Sequence, residues 1–258
     1  MFDALYIGAT GMQAQQTNVD AIANNLANVN TTGYKKSRVS FTDMVVNAAQ
    51  AAGSAAPLAV MPGTGAGVAL AATSKMFDAG DLKKTESAMD IAIQGDGFLE
   101  LAMADGTRAY TRGGSLKVNA DGQLATQAGV PLKPGIHIPD GASAITISAA
   151  GRVQVALKGQ STPVDAGQLE MVRFTNTQGL LAQGADVYRA TEASGEPIAG
   201  KPGEDGMGTI AQGFVEASNV KMVEEMVNLM VAQRAYEASV KVVQASDEML
   251  GMVNGLRR

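Results

Sequence analysis

Residues able to do chemistry are few in this chain. It has no cysteine and a single histidine, His137, which excludes thiolate nucleophiles, disulfides, cysteine-ligated metal centres and multi-histidine metal sites. A Ser-His-Asp arrangement or any imidazole acid–base step would rest on His137 alone. That residue stands between Ile136 and Ile138 and beside Pro139, a setting that reads as a strand position rather than a ligand or base. Asp96, Glu100 and Asp105 lie around glycine-containing turns, where aspartate is ordinary turn chemistry. Gly63-Thr64-Gly65-Ala66-Gly67 has the glycine content of a phosphate loop, but no Lys-Ser/Thr follows and no dinucleotide pattern is completed. It reads as a hinge. The expectation is therefore no catalytic residue, no cofactor and no metal.

What must be positioned, then, is a surface. The chain has 258 residues, 46% of them hydrophobic, enough to bury a core without staples. A net charge of −5 lacks the basic footprint that phosphate backbones and anionic lipid require, so neither nucleic acid nor membrane insertion is expected. The first eleven residues have no basic n-region and no unbroken apolar run, so no cleaved signal is visible.

Two helical ends enclose a strand-rich middle. Leu5, Ala9, Met12, Val19, Ile22, Leu26 and Val29 recur at helical spacing, and Asn30 to Gly33 supply stop and turn residues. At the other end Val231, Ala235, Ala238, Val242, Ala245, Met249, Met252 and Leu256 alternate four- and three-residue steps, an a/d heptad seam. Upstream, Val220, Val223, Val227 and Met230 keep the rhythm one residue out of phase. Ser218 or Asn219 is the expected N-cap. Residues 89–174 read as short strands with hairpin turns at Gly95-Asp96-Gly97, Asp105-Gly106, Gly113-Gly114 and Asp121-Gly122, while Glu192 to Gly208 reads as a loop. Met44 to Ser74 is uncharged but broken by proline and glycine, which suits an extended arm better than a membrane span. The fold class expected is α+β: a discontinuous helical coiled-coil domain from both termini and a central antiparallel β-rich domain. Its divisions are an N-terminal helix at 1–35, an arm at 36–75, a β domain at 76–210 and a C-terminal helix at 211–258 that pairs with the first.

One oddity points to function. Between Ala4 and Tyr34 the only charged residue is Asp20, and the polar positions are amides such as Gln13, Gln16, Asn18, Asn25 and Asn28. Amides both donate and accept, so many copies of such a face can pack together without stacking like charges. Self-assembly accounts for two seamed ends; a helix tucked on its own domain, or a monomeric β binding module with helical handles, accounts for them less well.

The run Asn24-Asn25-Leu26-Ala27-Asn28-Val29-Asn30-Thr31-Thr32-Gly33-Tyr34-Lys35 resembles the N-terminal motif of bacterial flagellar rod and hook subunits. Glu216-Ala217-Ser218-Asn219-Val220, Glu225-Met226 and Gln233-Arg234-Ala235-Tyr236-Glu237 resemble the C-terminal motif of the same family. The middle, through Tyr110-Thr111-Arg112, Leu132-Lys133-Pro134 and Ile145-Thr146-Ile147, is similar to its distal-rod members, with proximal rod or hook-type subunits as the alternative. The resemblance implies a non-enzymatic subunit of the basal body, in a rod spanning the periplasm. It implies export through the flagellar type III apparatus without signal cleavage, and polymerisation into a helical tube that contains the export channel and transmits torque to the hook. Implied partners are further copies of the chain, proximal rod and hook subunits, and the bushing rings. Subunit contacts would fall on Leu5, Met12, Val19, Ile22, Asn25, Leu26, Asn28 and Val29, and on Asn219, Val220, Val231, Gln233, Arg234, Ala235, Tyr236, Ala238, Val242, Ala245, Met249, Met252 and Leu256.

Overall fold

A computed structural model of the chain describes residues 2–46, 64–159 and 162–255. Helix α1 spans Phe2–Ala27. Strands β1 (Ser37–Val46) and β2 (Thr64–Lys75) pair with each other. Both fall in the stretch expected to be an extended arm, of which residues 47–63 lie outside the described residues. The middle of the chain continues with β3 (Leu82–Lys84), β4 (Asp90–Gln94), β5 (Phe98–Ala102), β6 (Arg108–Thr111), β7 (Gly113–Val118), β8 (Leu124–Thr126), β9 (Leu132–Lys133) and β10 (Ala142–Ile147). Then come β11 (Arg152–Leu157), β12 (Val164–Gln168), β13 (Met171–Arg173), β14 (Leu181–Gly184), β15 (Val187–Arg189), β16 (Ile198–Gly200), β17 (Thr209–Gln212) and β18 (Phe214–Glu216), and finally helix α2, Met222–Gly255.

These elements form two compact units. A helical unit takes residues 1–27, 37–74 and 221–258; a β unit takes residues 28–36 and 75–220. In the β unit, seven strands make one sheet in the order β14-β15-β6-β5-β13-β16, with β9 also on β5. Four more run β17-β4-β7-β8, three run β10-β11-β12, and β18 pairs with β3. The strand pairings named here for the β unit are antiparallel. Successive strand residues face opposite sides, and the seven-stranded sheet uses this to divide two cores. Phe98, Tyr110 and Val172 join Phe174, Leu180 and Tyr188 on one side. Their neighbours Leu99, Ala109 and Met171 join the aliphatic cluster of Ile91, Ile93, Leu124 and Val153 on the other. Edge-to-face contacts, such as Tyr110 on Phe174 with ring centres 4.8 Å apart, fix the aromatic side.

Two of the expected hairpins are present. β5 and β6 turn at Asp105-Gly106, where Asp105 accepts from the Thr107 N–H and hydroxyl, and β7 and β8 turn at Asp121-Gly122, where Asn119 Oδ1 accepts the N–H groups of Asp121 and Gln123. The other two glycine pairs do something different. At Gly95–Gly97 the chain leaves the β4 sheet for the β5 sheet, and at Gly113-Gly114 it returns from the sheet of β6 to that of β4 and β7. The stretch expected to be a loop, Glu192 to Gly208, contains a 3-10 turn and β16, which pairs with β13 at the sheet edge.

Candidate assembly surface

In the helical unit, α1 and α2 lie side by side and antiparallel. Gly8 lies against Val243 and the carbonyl of Ser239, Gly11 against Ser239, and Asn25 against Glu225. Rising numbers on α1 thus meet falling numbers on α2. A Cβ at Gly8 would stand 2.7 Å from the Val243 side chain, so only glycine allows this approach of the backbones. Helix α2 starts with Glu224 and Glu225 in its first turn, where carboxylates suit the positive end of the helix dipole. Asn25 joins three elements. Its amide nitrogen donates to the Ser37 carbonyl at 2.9 Å and to Glu225 Oε2 at 3.2 Å, and its oxygen accepts the Ser37 N–H at 2.8 Å. Strand β2 approaches α1 as well, the Val68 N–H reaching Thr10 Oγ1 at 3.4 Å.

The face of α2 withdrawn from solvent runs through Glu225, Leu229, Ala232, Ser239, Val243, Ser246 and Leu250. That is a heptad line displaced by one residue from the one read in the sequence. Small side chains at Ala232, Ser239 and Ser246 permit close approach. Ser239 and Ser246 satisfy their hydroxyls within the helix, on the carbonyls of Ala235 at 3.0 Å and Val242 at 2.8 Å. A second set of large apolar residues faces outward: Val231 is 63% and Met252 64% exposed, and Val242 and Met249 are also exposed. Upstream, Met222, Val223, Met226, Val227 and Met230 extend the exposed row.

The other residues expected at subunit contacts are distributed as follows. Ile22, Asn25 and Val220 are buried. Leu5, Met12, Val19, Leu26, Asn28, Val29, Asn219 and Ala235 are half-buried, and Gln233, Arg234, Tyr236, Ala238 and Ala245 are exposed. Arg234 pairs with Glu237 at 3.0 Å on the solvent side. Leu256 lies outside the described residues. Asn28, Val29, Asn219 and Val220 belong to the β unit rather than to the helices. Asn219 is not an N-cap: α2 begins at Met222, and the Asn219 side chain accepts the Lys36 N–H at 2.8 Å and donates to the carbonyls of Met76 at 2.8 Å and Asp78 at 3.2 Å.

Asn219 borders a cluster in the β unit that local sequence patterns did not reveal. Glu216, 4% exposed, pairs with Lys35 at 2.6 Å and Arg112 at 3.0 Å, whose side chains are 0% and 3% exposed. The Gly80 N–H also donates to Glu216 Oε1 at 2.8 Å, and Lys35 Nζ donates to the Asp78 carbonyl at 2.7 Å. Arg112 sits at one sheet crossing and donates to the carbonyls of Gly95 and Gly97 at the other, at 2.8 and 3.3 Å. Burial works to raise the Glu216 carboxyl but is outweighed by Arg112 and Lys35, which hold it below the usual carboxylate range. The cluster thus ties together the β-unit segments that carry Lys35, Asp78 to Gly80, Arg112 and Glu216, three of which lie in the motifs on which the family resemblance was read.

Gly33, at φ +72, stands third in the turn that Tyr34 N–H closes on the Thr31 carbonyl at 3.3 Å, and a Cβ there would lie 2.7 Å from Asp186 Oδ2. Gly33→Ala is expected to destabilise the β unit by about 2 kcal/mol or more, from left-handed backbone strain and the clash together, visible as a lower thermal midpoint. An unchanged midpoint would show that the turn yields freely.

Among the described residues, no group of His, Asp and Glu side chains could hold a metal ion, and no helix is long and apolar enough to cross a membrane. His137 is exposed on the chain beside β9 and bridges to Gln123. Residues 5–35 match the family described as flagella basal body rod protein, residues 92–155 the flagellar hook protein FlgE/F/G D1 domain, and residues 211–256 the flagellar basal body rod FlgEFG protein C-terminal region. The chain is 45% identical to flagellar basal-body rod protein FlgG of Borreliella burgdorferi over the full length of both. Against FlgG of Caulobacter vibrioides it is 41% identical over 98% of this chain and 99% of the relative. FlgF of the same bacterium is more distant, at 32% over 96% and 95%.

Proposed function

Because the chain belongs to the flagellar basal-body rod protein family, on its FlgG side, we propose that it is a distal-rod subunit whose α2 face is covered by neighbouring copies. The family is one of structural rod proteins. The observation that carries the assembly reading is the row from Met222 through Met252 that the antiparallel partner α1 leaves in solvent. Nine large apolar side chains of one helix, each between 45% and 75% exposed, form a surface that water disfavours and that a second copy of the chain could bury. Methionines at five of these positions adapt to an irregular neighbour surface. In a head-to-tail contact of this kind the same face recurs on every subunit, so the product is an open helical polymer.

The rod reading extends to contacts with proximal rod and hook subunits, to bushing rings, and to export by the flagellar type III apparatus without signal cleavage, into a rod that crosses the periplasm, encloses the export channel and carries torque. The absence of cysteine suits threading through a narrow channel, since no disulfide can lock a folded form. Electron microscopy of the purified chain at high concentration, seeded on isolated basal bodies, is expected to show a helical tube growing from the rod end. A chain that stays monomeric on seeds that do accept other rod subunits would overturn the reading.

A further inference from the structure

The β unit buries a second carboxyl group that the Glu216 cluster does not need. Asp186 sits at the tip of the β14–β15 hairpin, where Ala185 at φ 50 and Asp186 at φ 59 give the two-residue loop its left-handed backbone. Its side chain points inward. Oδ2 lies 3.3 Å from the Thr111 hydroxyl, which also reaches the Gly113 carbonyl at 3.2 Å, and the Tyr188 hydroxyl faces the same carboxyl. Oδ1 is buried with no hydrogen-bond partner. Against the carboxyl stands the α-carbon of Gly33, so close that no side chain fits between.

The charged and titratable groups facing Asp186 come from three directions. Tyr188 faces it from β15, Glu216 from β18, and Lys35 from the segment before β1, with Arg112 acting on Tyr188 from the sheet crossing. Burial raises the carboxyl most. Repulsion from Glu216 adds to it, and the hydroxyl donors and Lys35 offset only part, so the group is pushed up to about 7. An ionised carboxylate with an unmet oxygen is far costlier to bury than the neutral acid.

We propose that Asp186 is a proton-controlled latch: its neutral carboxyl holds the β14–β15 tip closed on the Gly33–Lys35 segment, and its ionisation loosens that contact. The hairpin is suited to open, because all four residues of β14 are exposed and the strand forms the sheet edge. The inference concerns the β unit alone and stands whether or not the chain polymerises.

The sign of the pH effect follows from linkage. A carboxyl raised in the folded state binds its proton more tightly there than in the unfolded chain. Its contribution is fully present below the unfolded pKa of 3.8 and is lost as pH rises through about 7. Glu216, held low, contributes in the opposite sense and in a more acidic window. Thermal unfolding of the full chain at low concentration is therefore expected to show a midpoint that falls by several degrees between about pH 5 and about pH 8. In Asp186→Asn that fall is expected to disappear, with the variant melting above the parent at the higher pH. Parallel profiles for the two proteins would overturn the latch. Should the variant not fold, carbon-13 NMR of the aspartate carboxyls in the unaltered chain decides. A resonance assigned to Asp186 with a midpoint near 7 supports the latch, and a midpoint below about 5 overturns it.

Discussion

Glu216→Ala is expected to lower the thermal midpoint of the β unit by about 10 °C or more. The substitution leaves Lys35 and Arg112 facing each other with side chains 0% and 3% exposed and no carboxylate between them. Removing one partner of a buried pair costs about 3–5 kcal/mol, because the two cations left behind keep only neutral carbonyl acceptors and cannot reach water. For a unit of this size each kcal/mol moves the midpoint by about 2–4 °C. Glu216→Gln keeps the shape and two acceptor lone pairs but no charge, so it falls between the parent and alanine. The damage extends beyond the pair, since Glu216 also accepts the Gly80 N–H, and Arg112 holds the carbonyls of Gly95 and Gly97 at the sheet crossing. Circular dichroism of Glu216→Ala melting within 2 °C or so of the parent would show that the cluster contributes little to stability.

Two adjacent residues of α2 separate folding from assembly. Ala232, 1% exposed, lies on the face withdrawn from solvent, whereas Val231 is 63% exposed. Ala232→Glu puts a longer, charged side chain into a closely packed contact, and the combined overpacking and desolvation cost is about 3 kcal/mol or more. The helical unit is expected to lose its pairing, seen as lost helical ellipticity or fast amide exchange along α1 and α2. Val231→Glu changes a surface position and is expected to cost less than about 1 kcal/mol in the monomer. In the polymer the same glutamate would be buried on every subunit, so assembly is lost while the monomer keeps its spectrum. Ala238→Glu, also at an exposed position, is expected to behave like Val231→Glu. Reversal of the two phenotypes, with Val231→Glu unfolding the chain and Ala232→Glu assembling normally, would place the helix contact on the wrong face.

The contrast between those neighbours shows what the sequence carries and what it does not. Periodicity identifies both helices, and it finds the row of large apolar residues from Val231 to Met252 because hydrophobic side chains at heptad spacing are a local property. Which face meets α1 is not local. It depends on Gly8 and Gly11 matching Ser239 and Val243 across most of the chain's length, and small residues give little hydrophobic signal. The hairpins at Asp105-Gly106 and Asp121-Gly122 were legible from turn chemistry. Gly113-Gly114 has the same chemistry but marks a change of sheet, and only long-range pairings such as Ile93 with Ile210 decide that. Lys35, Arg112 and Glu216 are isolated charges in sequence, so their cluster left no local pattern; the one hint was that all three stand inside family-like motifs.

The chain has no cysteine, which makes a single introduced thiol an unambiguous reporter. Val231→Cys, reacted with a maleimide before and after polymerisation, reads directly whether the exposed face of α2 becomes covered. The account predicts rapid labelling of the monomer and a loss of labelling by an order of magnitude or more in the assembled rod, while a cysteine at exposed His137 on the β unit labels more readily than Val231→Cys in the rod. Equal labelling of Val231→Cys in monomer and rod would contradict it.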